Sequence, residues 1–297
     1  MLKKISILLL TLLLVGCKPT QTTHTSSNSY SILSYTGVAS LSLICLTPED
    51  NEITITDNYD DISNAFDDKS YDVIIAPINT GVSKCLDNNN YKLLSIVAYG
   101  NYYLVSSDSA LARGGIAVYN QAVAEPILNS LSSDLDNYDF QYYDSVDEIY
   151  NLLSNGEVDG ALVNELIYND FVDYRGLKLN KVLDIQDLYQ TDNGYSSYPI
   201  YGMFILSSIA NNDQDALSEF AKTIKNSITQ YKNDKNTFKN VLDNYDLEKI
   251  GFDNAELVSE SYNYCGIDFV YAISDYDSLE AYLKLFDIEL NEKIVIR

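Results

Sequence analysis

The stretch Tyr71–Ser83, which reads YDVIIAPINTGVS, decides how the rest of the chain is interpreted. It contains five consecutive apolar residues, Val73–Pro77, three of which are β-branched. A short run of this kind is typical of a strand that is buried on both faces of a parallel sheet. Pro77, Asn79 and Gly81 then predict that a loop ends the strand. Ligands of open parallel sheets lie just beyond such strand ends, so the stretch raises the question of a binding site.

The N-terminus has the pattern of an export signal. Two lysines precede the apolar run Ile5–Val15, which is shorter than the ~20 residues that span a bilayer. The run ends in LVGC at Leu14–Cys17, which resembles the lipobox of bacterial lipoproteins. The resemblance implies that residues 1–16 are a signal peptide and that Cys17 is acylated and becomes the mature N-terminus. The alternative is an ordinary signal with a coincidental cysteine.

Residues 17–28 are rich in Thr, Ser and Asn, and this composition predicts a flexible tether. Two or more acyl chains anchor a protein stably to a membrane.

Removing residues 1–16 takes away two lysines and no acidic residue, which changes the formal net charge from −24 to −26. Such an acidic chain repels nucleic acid, so we exclude nucleic acid as a partner. The remaining body of about 270 residues can form one large or two medium domains.

The first part of the body alternates between short apolar runs and stretches with helical periodicity. The predicted strands are SYSILSY, EITIT, YDVIIAP and YKLLSIVAY, and the predicted helices are VASLSLICL and YDDISNAF. This alternation predicts a parallel sheet covered on both faces.

A second unit with the same alternation begins near Asp108. Its predicted strands are GGIAVYN, YDFQYY and VDGALV, and its predicted helices are Ala122–Leu131 and one that begins at a Ser145–Glu148 capping box and ends at Gly156. After YPIYGMFILS, a strand, the pattern predicts helices only: Asp213–Tyr231, Thr237–Leu242 and Leu279–Phe286.

Taken in order, these segments resemble the extracytoplasmic substrate-binding proteins of ABC transporters. The branch is that of the nitrate, sulfonate and thiamine-precursor binders, with the type II periplasmic-binding fold. The segments that carry the resemblance are YTGVASLSLICL, YDVIIAPINTGVS, GEVDGALVNELIY and the block from YPIYGMFILSS to IDFVYAISDYDSLEAYLKLF. The resemblance implies an α/β protein of two lobes, each a mainly parallel sheet flanked by helices, joined by crossover strands. Lobe one would be residues 29–106 plus 201–297, and lobe two residues 107–200.

The same resemblance implies a ligand cleft between the lobes. Thr and Asn side chains supply directional hydrogen bonds, Tyr rings stack and donate, and Gly allows close backbone approach. The candidate ligand-binding residues are Tyr35, Thr36, Gly37, Val38, Asn79, Thr80, Tyr99, Asn101, Asn120, Glu165 and Tyr201. Each also has a structural interpretation, such as a turn at Thr36-Gly37 or a helix cap at Asn79-Thr80.

The positions of the positively charged residues in the body argue against an anionic ligand. Its only arginines are Arg113, Arg175 and Arg297, none of which falls in a predicted cleft loop, and the nearest cation to such a loop is Lys84. Anion sites usually offer Arg donors, although helix amides can replace them. The hypothesis is therefore a neutral or cationic small organic ligand, with Glu165 as the counter-charge in the cationic case.

The sequence contains no recognisable set of catalytic residues. Its single histidine, His24, lies in the tether, so the body has no Ser-His or Cys-His couple. It has no phosphate-binding loop, no His/Cys metal cluster and no calcium-loop spacing, and we predict no cofactor and no metal. Cys45, Cys85 and Cys265 are an odd, widely spaced set. They predict single buried thiols, while a Cys45–Cys85 bridge stays open.

The sequence thus predicts a monomeric, lipid-anchored extracytoplasmic solute-binding protein of an ABC importer. It would capture a small organic molecule and deliver it to permease and ATPase components, touching the membrane only through its anchor. The alternative is a surface interaction lipoprotein that kept the fold and lost transport.

Overall fold

The structure is a computed structural model that describes residues 29–46, 51–109, 114–119, 121–131 and 135–297. The expectations for the signal peptide at residues 1–16, the acylated Cys17, the tether at residues 17–28 and the ligand contact of Asn120 lie outside the described residues.

The first sheet has six strands in the order β11-β4-β10-β3-β1-β2. Its strands are β1 (Ser31–Tyr35), β2 (Glu52–Thr56), β3 (Val73–Pro77), β4 (Tyr91–Tyr99), β10 (Pro199–Leu206) and β11 (Ile267–Tyr271). β1 pairs in parallel with β2 and β3, whereas β10 is antiparallel to both of its neighbours, β3 and β4. Every residue of β3 is buried, as the apolar run at Val73–Pro77 predicts.

The second sheet has five strands in the order β7-β6-β8-β5-β9. Its strands are β5 (Tyr102–Ser106), β6 (Gly114–Tyr119), β7 (Tyr138–Tyr143), β8 (Gly160–Asn164) and β9 (Asn180–Asp184). β6 pairs in parallel with β7 and β8, and β5 runs antiparallel to β8 and β9. The predicted fold class, α/β with two mainly parallel sheets flanked by helices, is therefore confirmed.

Helices connect the strands and cover the sheets. In chain order the α-helices are α1 (Val38–Leu41), α2 (Tyr59–Asp68), α3 (Ile78–Asn88), α4 (Gln121–Ser130), α5 (Val146–Asn155), α6 (Glu165–Asn169), α7 (Ile185–Asn193), α8 (Ser207–Asn212), α9 (Gln214–Asn233), α10 (Lys235–Leu242), α11 (Ala255–Ser261) and α12 (Tyr276–Lys284). The predicted cap and stop of α5 are present: Ser145 Oγ accepts a hydrogen bond from the Glu148 amide at 3.3 Å, and Gly156 takes the left-handed conformation with φ 69°.

The stretch Tyr71–Ser83 corrects one prediction. No loop separates β3 from the next helix, because Pro77 is the last residue of the strand and the N-cap of α3. Asn79 and Gly81 belong to the first turn of α3. Packing requires a glycine at position 81, because a Cβ atom there would lie only 2.2 Å from Cζ of Phe204 in the neighbouring β10.

The crossings between the sheets also differ from the expected lobe boundaries. Tyr102–Ser106 is a strand of the second sheet, so the chain crosses at Gly100–Asn101 instead of after Ser106. It returns to the first sheet at Pro199, two residues before the expected position. The two crossing segments are bonded together, since the Gly100 amide donates to the Tyr198 carbonyl oxygen at 2.8 Å.

Two further predictions were wrong in detail. The segment VASLSLICL forms helix only over Val38–Leu41, and Ser42–Cys45 continue as turns. The C-terminal third is not helical throughout, because Ile267–Tyr271 adds β11 to the edge of the first sheet beside β4. Its Ile267 and Phe269 face the core, an alternation that a short strand shows too briefly to stand out among helices.

Buried apolar side chains form two clusters. The larger one extends from the first sheet to Tyr102, Leu104 and Ile116 of the second, and a smaller one lies around Phe171. Cys45, Cys85 and Cys265 are free thiols, so the alternative of a Cys45–Cys85 bridge is not realised. Among the described residues, no helix combines the length and the hydropathy that a membrane crossing requires.

Candidate functional site

A cavity of about 210 Å³ lies where strands of both sheets end beside the two crossing segments. Tyr35, Tyr119 and Asn164 reach it from the carboxyl ends of β1, β6 and β8, respectively. Asn101 and Tyr201 reach it from the crossing segment and from the start of β10. This is the position at which parallel sheets generally bind ligands, because the turns that follow the strands diverge there.

Most of the residues singled out in the sequence meet at this cavity. Those that line it are Tyr35, Thr36, Gly37, Val38, Tyr99, Asn101 and Tyr201. Gly37 has φ 80°, a conformation that side chains other than Gly rarely adopt, and it turns the chain from β1 into α1. Tyr99 contributes its ring, while its hydroxyl donates a hydrogen bond to Asp275 Oδ2 at 2.9 Å.

Asn79, Thr80 and Glu165 are not among the lining residues. Asn79 and Thr80 lie in the first turn of α3, where the Asn79 Oδ1 atom is buried without a hydrogen-bond partner among the described residues. Glu165 follows the lining residue Asn164, but its carboxylate pairs with Lys181 of β9.

Five tyrosines form much of the wall of the cavity: Tyr35, Tyr99, Tyr102, Tyr119 and Tyr201. The rings of Tyr35 and Tyr201 are nearly parallel, with 20° between their planes and 6.2 Å between their centroids. Burial is the largest cause that raises the pKa of each of the five phenols above its ordinary value. Their hydroxyl groups therefore stay neutral at physiological pH, where they can both donate and accept hydrogen bonds.

Asn101 is the most informative polar group in the cavity. The residue is 4% exposed, and its Nδ2 atom has no hydrogen-bond partner among the described residues. A buried amide donor without a partner costs about 1–3 kcal/mol. The Oδ1 atom of Asn164, in contrast, accepts a hydrogen bond from the Ile167 amide at 3.0 Å and caps α6. Because Asn101 lines the cavity, its unpaired donor is a candidate for a hydrogen bond to a ligand.

Glu165 is the centre of a hydrogen-bonded cluster behind the cavity. Its side chain is 6% exposed, and Oε2 pairs with Lys181 Nζ at 2.5 Å. Its Oε1 accepts a hydrogen bond at 3.2 Å from Asn169 Nδ2, which also lies 2.9 Å from Ser261 Oγ in α11. The Lys181 ammonium also lies 3.8 Å from the centroid of the Tyr103 ring. The negative charge of Glu165 is thus already balanced within the protein.

The lining includes residues that sequence reasoning missed. They are Tyr102, Tyr119, Val146, Asn164, Leu166, Ile167, Ile200 and Phe252. Tyr119 ends a predicted strand, and so the rule that points to Tyr35 at the end of β1 would have found it. Phe252 follows a short 3₁₀ helix far along the chain and carried no local signal.

A second depression, of about 470 Å³, is larger but is lined by β4 and β11 of the first sheet, by α8 and α9, and by residues that follow β11. Its lining includes Leu94, Gln214, Asp215, Ile273 and Arg297. It contains none of the candidate residues, and it is away from the edge where the strands of both sheets end. Among the described residues, no group of three or more His, Cys, Asp or Glu side chains could hold a metal ion.

Comparison with solved structures shows the fold. An ABC transporter structure from Parabacteroides distasonis is 16% identical, covers 88% of this chain and 92% of its own, and has a TM-score of 0.72. The periplasmic aliphatic sulphonate-binding protein of Escherichia coli is 10% identical, with 91% and 92% covered and a TM-score of 0.65. A protein from Thermoplasma volcanium that is named as a nitrate transport protein is 14% identical. The match covers 87% of this chain and 95% of that one, with a TM-score of 0.53.

Comparison of the sequence with protein-family models gives no match, and comparison with curated proteins gives none either. At these identities the likeness concerns the fold, which is that of the periplasmic substrate-binding proteins of ABC transporters. The expected fold is therefore confirmed.

The raised pKa values of the cavity tyrosines predict a loss of stability in alkali. Above about pH 10 an unfolded chain releases phenolic protons that the folded protein still holds. The folded state then binds more protons than the unfolded one, so the free energy of unfolding falls as the pH rises. We expect Tyr201→Phe to reduce the steepness of this fall by up to about 1.4 kcal/mol per pH unit. Urea unfolding at several pH values measures it, and an unchanged slope would contradict the assignment.

The Glu165–Lys181 pair predicts a large effect of a single substitution. Lys181→Met keeps most of the side chain but leaves a buried carboxylate without its counter-charge, which we expect to cost about 3 kcal/mol. Lys84→Met is the matched control, because its partner Asp67 is 50% exposed and the loss should stay below about 1 kcal/mol. Urea unfolding of both variants provides the comparison. Equal losses would show that Glu165 is not buried in the folded protein.

Proposed function

We propose that this protein is the lipid-anchored, extracytoplasmic solute-binding component of an ABC importer. It captures a small organic molecule in the cavity beside the crossing segments and presents it to permease and ATPase components. The two sheets with their helices act as two lobes, residues 29–100 plus 199–297 and residues 101–198, which close on the ligand.

The observation that carries the proposal is the composition of the cavity wall. Tyr35 and Tyr201 come from the first sheet, Tyr119 and Asn164 come from the second, and Asn101 lies on the segment between them. A site that is shared in this way is completed only when both sheets are in place. Ligand binding would therefore hold the two lobes together, and the importer would recognise this closed form.

The names of solved structures with a similar fold also support a role in solute binding. Three of them are named for ABC transport, sulphonate binding and nitrate transport, and each covers most of this chain. The N-terminal sequence adds the location, since an apolar run that ends in a cysteine at Cys17 suits export followed by acylation. The tether at residues 17–28 would hold the folded body away from the membrane surface.

We expect a thermal shift that depends on the cavity. Metabolite fractions that contain the solute should raise the melting temperature by roughly 5–10 °C near saturation, because a site filled at 100 times Kd adds ~2.7 kcal/mol. Val146→Trp places a large ring in the cavity and should abolish this gain. Ile273→Trp, on the second depression, is the matched control and should keep the gain.

Three results of this experiment would contradict the proposal. No gain for the unmodified protein with any fraction would favour a surface interaction lipoprotein. Loss of the gain in Ile273→Trp alone would place the site in the second depression. The same gain in all three proteins would show that the ligand binds elsewhere.

The lipid anchor makes a separate prediction. Expressed in a bacterial host, the full chain should lose residues 1–16, carry acyl groups on Cys17 and fractionate with membranes. Cys17→Ala should remove the acyl mass and release the folded body from the membrane fraction. Intact-mass measurement and detergent phase separation give both results. A mature chain that keeps Cys17 without added mass would refute the anchor while leaving solute binding untouched.

A further inference from the structure

The side chains around the cavity indicate the charge of the ligand that it can hold. Among the described residues that line it, none carries a charged side chain. Glu165, at the start of α6 beside the lining residue Asn164, is already paired with Lys181. A buried ionic ligand would lose its hydration without gaining a counter-charge, and such transfers are strongly unfavourable.

The surroundings of the cavity act against anions in particular. Asp57 follows β2 of the first sheet, and Asp144 follows β7 of the second, and both are exposed. After burial, the charges of these two carboxylates are further causes of the raised pKa of Tyr119, and they also act on Tyr35. Both carboxylates therefore oppose negative charge on these two lining side chains.

The open donor of Asn101 acts against cations. Asn101 lines the cavity, and its buried Nδ2 group has no partner among the described residues, so an acceptor on the ligand would satisfy it. A cation would instead place its positive charge against the positive end of an N–H bond. Aromatic cages do bind ammonium groups through the faces of their rings, but this cavity combines such rings with an unmet donor.

The walls favour a flat ligand of small size. The stacked rings of Tyr35 and Tyr201, together with Tyr119 and Phe252, give the cavity an aromatic lining against which a planar group can pack. The cavity volume of about 210 Å³ is below the range of ~300–1,000 Å³ that is common for drug-sized ligands.

We propose that the cavity selects a small, planar, uncharged molecule that places a hydrogen-bond acceptor against the Asn101 amide N–H. The inference rests on the proposed solute-binding function and names the chemical class of the solute. Asn101 is its specificity-determining residue: a carbonyl oxygen or an unprotonated ring nitrogen meets the donor, and the tyrosine rings hold the plane of the ligand.

A set of four probes with the same ring tests the class. Benzamide is planar, uncharged and carries an acceptor, benzenesulfonate is an anion, benzylammonium is a cation, and toluene lacks an acceptor. Binding to the unmodified protein is measured by calorimetry and by thermal shift. We expect benzamide to bind at least tenfold more tightly than each of the other three.

Two variants test the role of Asn101. Asn101→Asp replaces the donor with a carboxylate, and it should weaken benzamide about tenfold or more and make benzylammonium the preferred probe. Asn101→Ala removes the donor without adding charge, and it should weaken benzamide while leaving toluene unchanged. Circular dichroism and urea unfolding establish that each variant is folded, and the probe series on the unmodified protein is decisive if one is not.

The possible failures are distinguishable. If benzenesulfonate or benzylammonium binds the unmodified protein most tightly, the ligand class is wrong and solute binding stands. If benzamide binds both variants as well as it binds the unmodified protein, the role of Asn101 is wrong. If no probe binds, the class is overturned, while a thermal shift with metabolite fractions that Val146→Trp abolishes would keep the solute-binding function.

Discussion

The pairing of β10 between β3 and β4 is the constraint on which the rest of the structure depends. This strand comes almost 100 residues after β4, yet it lies inside the first sheet and is buried over seven of its eight residues. Tyr201 is paired with Pro77 on one side and with Ala98 on the other. Because β10 must reach this place, the chain crosses between the sheets twice at one position, and the cavity forms at that position.

The cavity inherits its chemistry from the same arrangement. Strands that end at a common edge bring side chains together from distant parts of the sequence, and in this chain many of those side chains are tyrosines. Burial keeps their phenols neutral, while Glu165, a buried carboxylate that follows the lining residue Asn164, is paired with Lys181. The cavity offers a ligand its aromatic lining, the tyrosine hydroxyl groups and the unpaired N–H donor of Asn101. These groups are the basis of the proposed selection of small uncharged molecules.

Much of this could be predicted from the sequence, because local patterns specify local structure. The apolar run at Val73–Pro77 predicts a buried strand, and Ser145 predicts the start of α5, since both depend on neighbouring residues alone. The prediction of a loop at Pro77–Gly81 was wrong, because the glycine at position 81 is required by close packing against Phe204, which is distant in sequence. Glu165 was expected to face a ligand, and its pairing with Lys181 across α6 and β9 had no local signal. Long-range packing decides these positions, and it is not visible in any short stretch.

The central claim is that the cavity beside the crossing segments holds a solute. Native mass spectrometry of the full chain, purified gently from the cells that produce it, tests this claim most directly. The account predicts a second species heavier by one small molecule, which collisional activation releases as a neutral loss. A single species at the mass of the protein alone, with no gain after incubation with cell metabolites, would contradict it.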